Sequence, residues 1–346
     1  MSEPSTSVNA PSVTVVVCTR NRADRLSVVL ESFADLVIPS GLEWEVLVVD
    51  NGSTDPTKAV AEGFAARLPL RYVVERRPGL SHARNRGVAE ARGDYICWTD
   101  DDVVVDQGWL ASYVAAFLRH PEAAIFGGKI LPELEAPTPR WFTDCIACPP
   151  VRSVMVFRDM GEHISPITQE GARFPWGANY ALRRTEQLQA PYDPELGHAP
   201  HHRRVGEESD VIYRLMAAGA TGWWVPGCVV RHALPSRRQS LREILKHFHA
   251  VGETFAYIHD RSPGHNWNEL HGPPRFRDMG AAALARLRLR LAARFAVAWL
   301  KGDLPRALGQ LSDLGLYSGV ASYRRGGAKR SAPLAAPQPA ASTGAR

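Results

Sequence analysis

The segment GDYICWTDDDVV, residues 93–104, places three adjacent carboxylates directly after a short apolar run. Such a run, bounded by turn residues, is typical of a buried β-strand. Side chains alternate faces along an extended chain, so we expect Asp100 and Asp102 to point one way and Asp101 the other. Two neighbouring carboxylates repel each other unless a positive charge lies between them. A divalent cation, Mg²⁺ or Mn²⁺, is one source of that charge, and a solvated acidic turn is the alternative.

Three more apolar runs precede this segment and alternate with helical patterns. The predicted strands cover Val13–Thr19, Glu45–Val49 and Arg71–Val74. The predicted helices cover Leu26 to Phe33, Pro56 to about Arg67, and Gly79 to Gly93 with Ser81 as N-cap. Strand and helix thus alternate four times, which predicts an α/β fold with a mainly parallel sheet flanked by helices.

Polar side chains follow these strands at their carboxyl ends, where parallel sheets bind ligands. They are Thr19 and Arg20, Asp50 and Asn51, and Asp100–Asp102. Asp50 suits hydrogen bonds from a ribose or a base, with turn capping as the alternative. Arginines suit phosphate, with solvated helix faces as the alternative; the candidates are Arg77, Arg84 and Arg86. No GxGxxG follows the first strand and no GxxxxGK[ST] occurs, so dinucleotide and P-loop sites are not supported.

The segment GEESD, residues 206–210, opens a predicted helix from Gly206 to Gly219. At about 100° per residue, Glu208 falls on the apolar stripe of this helix, whereas Glu207 falls on the other side. We therefore predict that Glu208 points inward, where partial burial raises a carboxylate pKa toward the range of a general base. Glu207 and Asp210 are expected on a solvated face or as capping groups, and Glu207 is the reserve candidate for the base. An acid favoured by the helix dipole is the alternative for Glu208.

The remaining elements are predicted from periodicity alone. They are a helix from Gln107 to Arg119, a strand from Ala123 to Ile130, a turn into a strand over Trp176–Leu182, an extended run from Gly222 to Ala233, and helices Leu241–Tyr257, Met279–Trp299 and Leu304–Tyr317. The proline-rich residues 132–175 permit no assignment. A lone histidine in a strand, such as His232, is typical of a core or edge position.

The helix at 279–299 has two distinct faces. An apolar stripe is formed by Leu284, Leu287, Leu291, Phe295 and Trp299, and a basic stripe by Arg286, Arg290 and Arg294. Packing of the apolar stripe on the rest of the domain, with the basic face solvated, is one interpretation. Docking on anionic lipid headgroups is the other.

Composition and charge narrow the classes of protein further. The 346 residues are 45% hydrophobic and carry a net charge of +5, which suits anionic ligands or surfaces. Basic and aromatic residues are not interleaved, so nucleic acid is not favoured. Five cysteines, an odd number, indicate reduced thiols of a cytoplasmic protein, including Cys145 and Cys148. Neither a signal pattern nor an 18-residue apolar run is found, so we expect no membrane-spanning helix.

Several of these segments, in this order, resemble the inverting nucleotide-sugar glycosyltransferases of family two, which have the GT-A fold. The segments are VVVCTRNRADRL, EVLVVDNGSTD, PGLSHARNRGVAEARGDYICWTDDD, GANYALRR, GEESD and the late His232, within residues 13–232. The resemblance implies a Rossmann-like catalytic domain at 12–235, with a nucleotide-binding half at 12–105 and an acceptor-side half at 106–235. A helical extension at 236–325 and disordered ends at 1–11 and 326–346 complete the expected organisation.

The resemblance also implies roles for single residues. Expected donor contacts are Thr19, Arg20, Asp50, Asn51, Arg77, Arg84, Asn85, Asp100, Asp101, Gly177, Ala178 and Asn179. Expected metal ligands for Mg²⁺ or Mn²⁺ are Asp102, Asp100 and His232. Glu208 stands where the family commonly has an aspartate as catalytic base, so this chain has a longer side chain there.

The implied activity is metal-dependent, inverting transfer of a sugar from a nucleoside-diphosphate sugar to a hydroxyl of a glycan or lipid-linked acceptor. The implied setting is synthesis of a cell-surface or exported glycan, in the cytoplasm or peripherally on the inner face of the membrane. A metal-dependent nucleotidyltransferase is one alternative, but it usually carries an early glycine-rich phosphate loop. A non-catalytic sugar-nucleotide-binding module is the other, and it would need no base such as Glu208.

Overall fold

The first half of the fold is a parallel sheet that follows the predicted alternation. The computed structural model describes residues 11–168, 174–261 and 279–326. The first four strands are β1 (Val13–Thr19), β2 (Trp44–Asp50), β3 (Leu70–Val74) and β4 (Tyr95–Asp100). They pair in parallel in the order β3-β2-β1-β4. The valines and the leucine of β1 and β2 are buried, as expected of strands covered on both faces.

The helices that connect these strands differ slightly from their predicted bounds. They are α1 (Ala23–Ala34), α2 (Thr57–Gly63) and α3 (Leu80–Glu90). Ser81 lies inside α3 and donates its hydroxyl hydrogen to the Leu196 carbonyl, 2.6 Å away, so the N-cap prediction was wrong. Gly93 lies beyond the helix, and a Cβ there would be 2.5 Å from the backbone nitrogen of Thr14.

The second half extends the sheet with antiparallel strands. Its strands are β5 (Val103–Val105), β6 (Ile125–Leu134), β7 (Ser165–Pro166), β8 (Asn179–Arg183) and β9 (Gly222–Leu234). The whole order is β3-β2-β1-β4-β8-β6-β9-β5, with β7 on β9. β8 runs antiparallel to both β4 and β6, whereas β6 and β9 are parallel. The predicted α/β fold is confirmed, and its sheet is mixed at this end.

Five helices accompany these strands. They are α4 (Trp109–Arg119), α5 (Arg140–Asp144), α6 (Pro149–Val154), α7 (Arg184–Gln189) and α8 (Glu207–Ala217). The segment that permitted no sequence assignment thus contains α5, α6 and β7. Short helices with prolines at their starts give little periodicity for a sequence pattern to detect.

The described residues of the predicted C-terminal extension include three long helices. They are α9 (Leu241–Arg261), α10 (Ala281–Leu300) and α11 (Leu304–Arg325). Leu284 and Leu291 of α10 are buried, which supports the packing interpretation of its predicted apolar stripe. Within the described ranges, every helix is too short or too polar to cross a membrane. The ends predicted to be disordered lie outside the described residues, except for Pro11 and Gly326.

Candidate active site

Two carboxylates and an imidazole meet at the end of β4. Asp100 ends β4, Asp102 lies in the turn before β5, and β5 pairs with β9 so that Val103 is opposite His232. One ligand atom from each of Asp100, Asp102 and His232 lies within 4.8 Å of the other two. His232 Nε2 is 3.3 Å from Asp102 Oδ1, and its buried Nδ1 has no hydrogen-bond partner among the residues that the structure describes. Two carboxylates and one imidazole are a donor set that fits Mn²⁺ or Mg²⁺.

Asp101 is not a member of this group, although one nitrogen of Arg22 lies near both Asp101 and Asp102. Its carboxylate accepts hydrogen bonds from the Thr19 hydroxyl at 2.8 Å and from Arg22 at 2.7 Å. Burial raises the pKa of Asp101 to about 6, although Arg22 opposes the shift. At Asp102 burial is outweighed by the hydrogen bond and charge of His232 and by Arg22, so its pKa lies below the usual range. Asp102 is therefore the acid of this turn that stays ionised most readily.

Arg84 connects this acidic end of β4 with the start of α8. Its buried guanidinium lies 3.4 Å from Asp100, 2.8 Å from Glu207 and 3.9 Å from Glu208. It also lies over the rings of Tyr180 and Tyr192, at 6.0 and 5.6 Å. Asp100 and Glu208 thus approach the same guanidinium.

The two glutamates at the start of α8 differ in exposure. Glu207 is only 5% exposed and is the closer partner of Arg84, so the solvated face expected for it was wrong. The periodicity of α8 alone could not reveal that Arg84, on α3, lies next to Glu207. Glu208 borders Gly177, where a Cβ would lie 3.6 Å from the Glu208 carboxyl carbon. Burial and the charge of Glu207 raise the pKa of Glu208 to about 7, with Arg84 opposing.

Residues 14–184 match the family model described as Glycosyl transferase family 2. The chain is a family 2 glycosyltransferase.

Similar proteins support this assignment. The chain is 26% identical over 248 residues to the succinoglycan biosynthesis protein ExoM of Rhizobium meliloti, covering 70% of this chain and 73% of that protein. It is 25% identical over 210 residues to a glucosyl-dolichyl phosphate glucuronosyltransferase of Haloferax volcanii, covering 59% of this chain and 63% of that protein. The second match therefore spans less than two thirds of its relative.

Solved structures confirm the GT-A fold. A mannosyltransferase from Pyrobaculum calidifontis, in complex with GDP-Man and Mn²⁺, superimposes with a TM-score of 0.57 and 19% identity, covering 93% of this chain and 89% of that one. S. aureus TarS 1-349 superimposes with a TM-score of 0.50 and 16% identity, covering 91% and 92%.

One expected donor contact of the transferase has its side chain in the core instead. Asn179 is fully buried, and its Oδ1 accepts hydrogen bonds from Trp109 Nε1 and the Tyr113 hydroxyl, both at 2.8 Å. Its Nδ2 donates to the carbonyls of Lys129 and Cys228, also at 2.8 Å. Every bond that this amide can make is occupied inside the protein, so the expected side-chain contact with a donor does not fit.

Two other amides of the transferase hold backbone segments around the cleft. Asn51 donates to the carbonyls of Glu75 and Arg77 and accepts from the backbone N–H of Gly79. Asn85 bonds to both backbone groups of Tyr192. Both side chains therefore position loops, and a direct donor contact by either would compete with these bonds.

The remaining expected contacts of the transferase lie at strand ends or on the surface. Asp50 is buried and accepts hydrogen bonds from the backbone of Ser53 and from the Tyr72 hydroxyl. The Ala178 carbonyl accepts from Thr99 at 2.9 Å. Arg20 and Arg77 are exposed, and Arg77 pairs with Glu75 at 3.1 Å.

A basic cavity of about 240 Å³ beside Asp102 was not foreseen. Its lining includes Arg22, Arg25, Arg237 and Arg238. Arg22 donates to Asp102 at 3.0 Å, and Arg238 lies 3.9 Å from the same carboxylate oxygen. Arg22 follows the first strand, and Arg238 closely follows His232 in the chain. Because Arg22 and Arg238 each follow a strand that ends near Asp102, the sequence did contain a signal for a basic group at this place.

Proposed function

We propose that this glycosyltransferase moves a sugar from a nucleoside-diphosphate sugar to an acceptor hydroxyl, with metal dependence and with inversion of the anomeric carbon. The observation that carries the proposal is the position of Arg84, which approaches both Asp100 and Glu208. A metal-binding acid and an ionisable base in one cleft match the two needs of the reaction. The base takes a proton from the acceptor, and the leaving group needs neutralisation.

Asp102, Asp100 and His232 would hold Mg²⁺ or Mn²⁺. When bound, such a cation offsets the negative charge that builds on the departing diphosphate. The donor set supports this, since it combines hard oxygen ligands with an imidazole whose ring nitrogen lies 3.3 Å from Asp102. The solved mannosyltransferase that shares the fold contains Mn²⁺ beside its GDP-Man.

The donor would extend from the end of β2 across the turn before β5. Asp50 and Asn51 would lie next to the nucleoside of the donor. Arg20 and Arg77 would lie at the protein surface there, with the backbone of Thr19 nearby. Arg22 and Arg238 supply positive charge next to Asp102, where the diphosphate would lie. Gly177 and the backbone of Ala178 would border the sugar, because Gly177 lies beside Arg84 and Glu208.

Glu208 is the proposed catalytic base. With a pKa near 7 it is partly ionised at neutral pH and basic enough to accept a proton from the acceptor hydroxyl. The hydroxyl then attacks the anomeric carbon from the face opposite the diphosphate, and a single displacement inverts that centre. Glu207 is a positioning residue, because its ion pair with Arg84 at 2.8 Å occupies its carboxylate.

The acceptor is proposed to be a glycan or a lipid-linked sugar, in synthesis of a cell-surface or exported glycan on the cytoplasmic face of the membrane. The relatives support this setting, since one is named for succinoglycan biosynthesis and another for glucosyl-dolichyl phosphate.

The family assignment removes the nucleotidyltransferase alternative. A binding module without catalysis would bind a donor but show no turnover. An assay of both donor binding and turnover therefore separates such a module from a transferase.

A panel of UDP-, GDP- and dTDP-sugars, assayed for binding and turnover with Mn²⁺ or Mg²⁺, tests the proposal. We expect Asp102→Ala to abolish turnover and to remove the part of donor affinity that EDTA also removes. The matched control is Asp106→Ala, which deletes a carboxylate that pairs with Arg231 near the surface, and it should leave both unchanged. Donor binding by Asp102→Ala that equals the wild type, with and without EDTA, would refute the metal site.

A further inference from the structure

The helix α10 exposes large apolar side chains on its outer face. Leu289 is 72% exposed, Val297 is 52% exposed and Leu300 is 86% exposed. The opposite side of the helix packs inward through Leu284 and Leu291. The exposed stripe is therefore distinct from the buried one that the sequence pattern emphasised. At about 100° per residue, the three exposed side chains fall within an arc of about 80°.

Positive charge adjoins this exposed apolar stripe. Arg286, Arg290 and Arg294 are exposed at four-residue spacing, and the exposed Lys301 follows the helix. Residues 279–302 contain no aspartate or glutamate. Within the described part of the chain, no carboxylate forms an ion pair with these three arginines, whereas Arg288 bonds to Ser318. The outer face of α10 is thus both apolar and strongly basic.

We propose that this outer face of α10 docks on an anionic lipid bilayer. Its apolar residues are Leu289, Val297 and Leu300, and its basic residues are Arg286, Arg290, Arg294 and Lys301. A helix in the plane of a membrane surface places apolar side chains at the boundary of the acyl chains and cations among anionic headgroups. At about 100° per residue, the seven side chains fall within an arc of about 140°, so they can meet one flat surface.

Charge favours a bilayer over a second copy of the chain. A symmetric dimer through this face would oppose each basic stripe with another, because a two-fold interface uses the same patch on both subunits. Neither copy offers a carboxylate from residues 279–302 to relieve that repulsion. An anionic headgroup layer is complementary to the same face.

The docking face and the cleft belong to one packed unit. Phe295 of α10 packs against an apolar cluster that contains Leu234 at the end of β9, two residues after His232. The same cluster contains Phe142 and Val151 of α5 and α6. Docking through α10 therefore holds the catalytic domain close to the membrane. The docking itself does not rest on the proposed activity, because it is measured without turnover.

Cosedimentation of the full chain with vesicles tests this proposal. We expect binding to vesicles that contain phosphatidylglycerol, weaker binding at high salt, and little binding to pure phosphatidylcholine. The triple variant Arg286→Gln/Arg290→Gln/Arg294→Gln should bind roughly 100-fold more weakly, given the contribution of each cation at an anionic surface. The variant Leu289→Gln/Leu300→Gln should weaken binding on the order of 10-fold or more.

The matched control removes three exposed cations elsewhere, Lys58→Gln/Arg92→Gln/Arg119→Gln. It should bind as the wild type does. Equal weakening by the control triple would contradict the proposal, because net charge alone would then explain binding. Absence of wild-type binding to anionic vesicles would overturn it. So would a dimer in size-exclusion chromatography that Leu289→Gln/Leu300→Gln dissociates while vesicle binding is unchanged.

Discussion

Glu207 and Glu208 are neighbours in sequence, but their carboxylates have different surroundings. Glu207 is held by the guanidinium of Arg84, whereas Glu208 is farther from that cation and borders Gly177. Burial is the largest cause of the raised pKa of Glu208, and the charge of Glu207 is the second. A base needs its ionised form, so activity should be lost as the pH falls below about 7.

The variant Glu207→Gln should shift this loss of activity at acidic pH to a lower pH. The substitution removes a negative charge beside Glu208 and frees Arg84 to approach it, and both changes favour the ionised form of Glu208. The measurement is the pH profile of kcat/KM for both proteins. This loss at an unchanged pH would contradict the coupling. Loss of activity in Glu207→Gln, with activity retained in Glu208→Gln, would assign the base to Glu207.

Residue roles were predictable where position along a strand determines them. Asp100 and Asp102 were expected on one side of the strand, and both lie near His232. Asp101 was expected on the other side, but β4 ends at Asp100, and Asp101 shares Arg22 with Asp102. Asn179 was misjudged because its four hydrogen-bond partners lie on α4, β6 and β9, far away in the chain. A sequence motif identifies a residue's place in the chain but does not reveal its partners in space.

At the scale of elements, long-range pairing determined where strands begin and end. β1 has its predicted bounds, whereas β2 gains one residue at each end, because Trp44 and Asp50 pair with Val13 and Thr19 of β1. The helix after Pro56 ends at Gly63, earlier than its pattern indicated. Periodicity therefore predicted which elements exist, and tertiary contacts fixed their ends.

The helices α9 and α11 cross at glycines that allow close approach. A Cβ on Gly319 would lie 2.0 Å from the His249 carbonyl oxygen, and one on Gly252 would lie 1.9 Å from the Leu316 carbonyl oxygen. These atoms belong to backbone, which cannot move aside without separating the helices.

Gly319→Ala should therefore destabilise the protein by about 1–3 kcal/mol, since it overpacks this crossing. Gly309→Ala is the matched control on the same helix, because a Cβ there meets nothing within 4 Å. It should be neutral or stabilising by up to about 1 kcal/mol through helix propensity. Unfolding midpoints in urea measure both. Equal midpoints for the two variants would show that the close crossing does not limit stability.

At the scale of the whole molecule, the cleft is assembled from distant parts of the chain. β4 supplies Asp100, α3 supplies Arg84, α8 supplies Glu208 and β9 supplies His232. The position of Asp100 was predictable because parallel strands end at one edge of a sheet, whereas the places of Arg84, Glu208 and His232 in the site were implied by the family resemblance. The basic cavity beside Asp102 depended on the end of β9 and on the path of residues 235–238 after it, which no periodicity describes.

In the proposed reaction, Glu208 activates the acceptor in the cleft where the donor is bound. The most direct test of this role is Glu208→Gln, in which donor affinity is measured by calorimetry with Mn²⁺ and the transfer rate is measured on the same preparation. We predict a donor Kd close to the wild-type value and a rate lower by about 10²- to 10⁴-fold. A retained rate, or a loss explained entirely by weaker donor binding, would contradict the account.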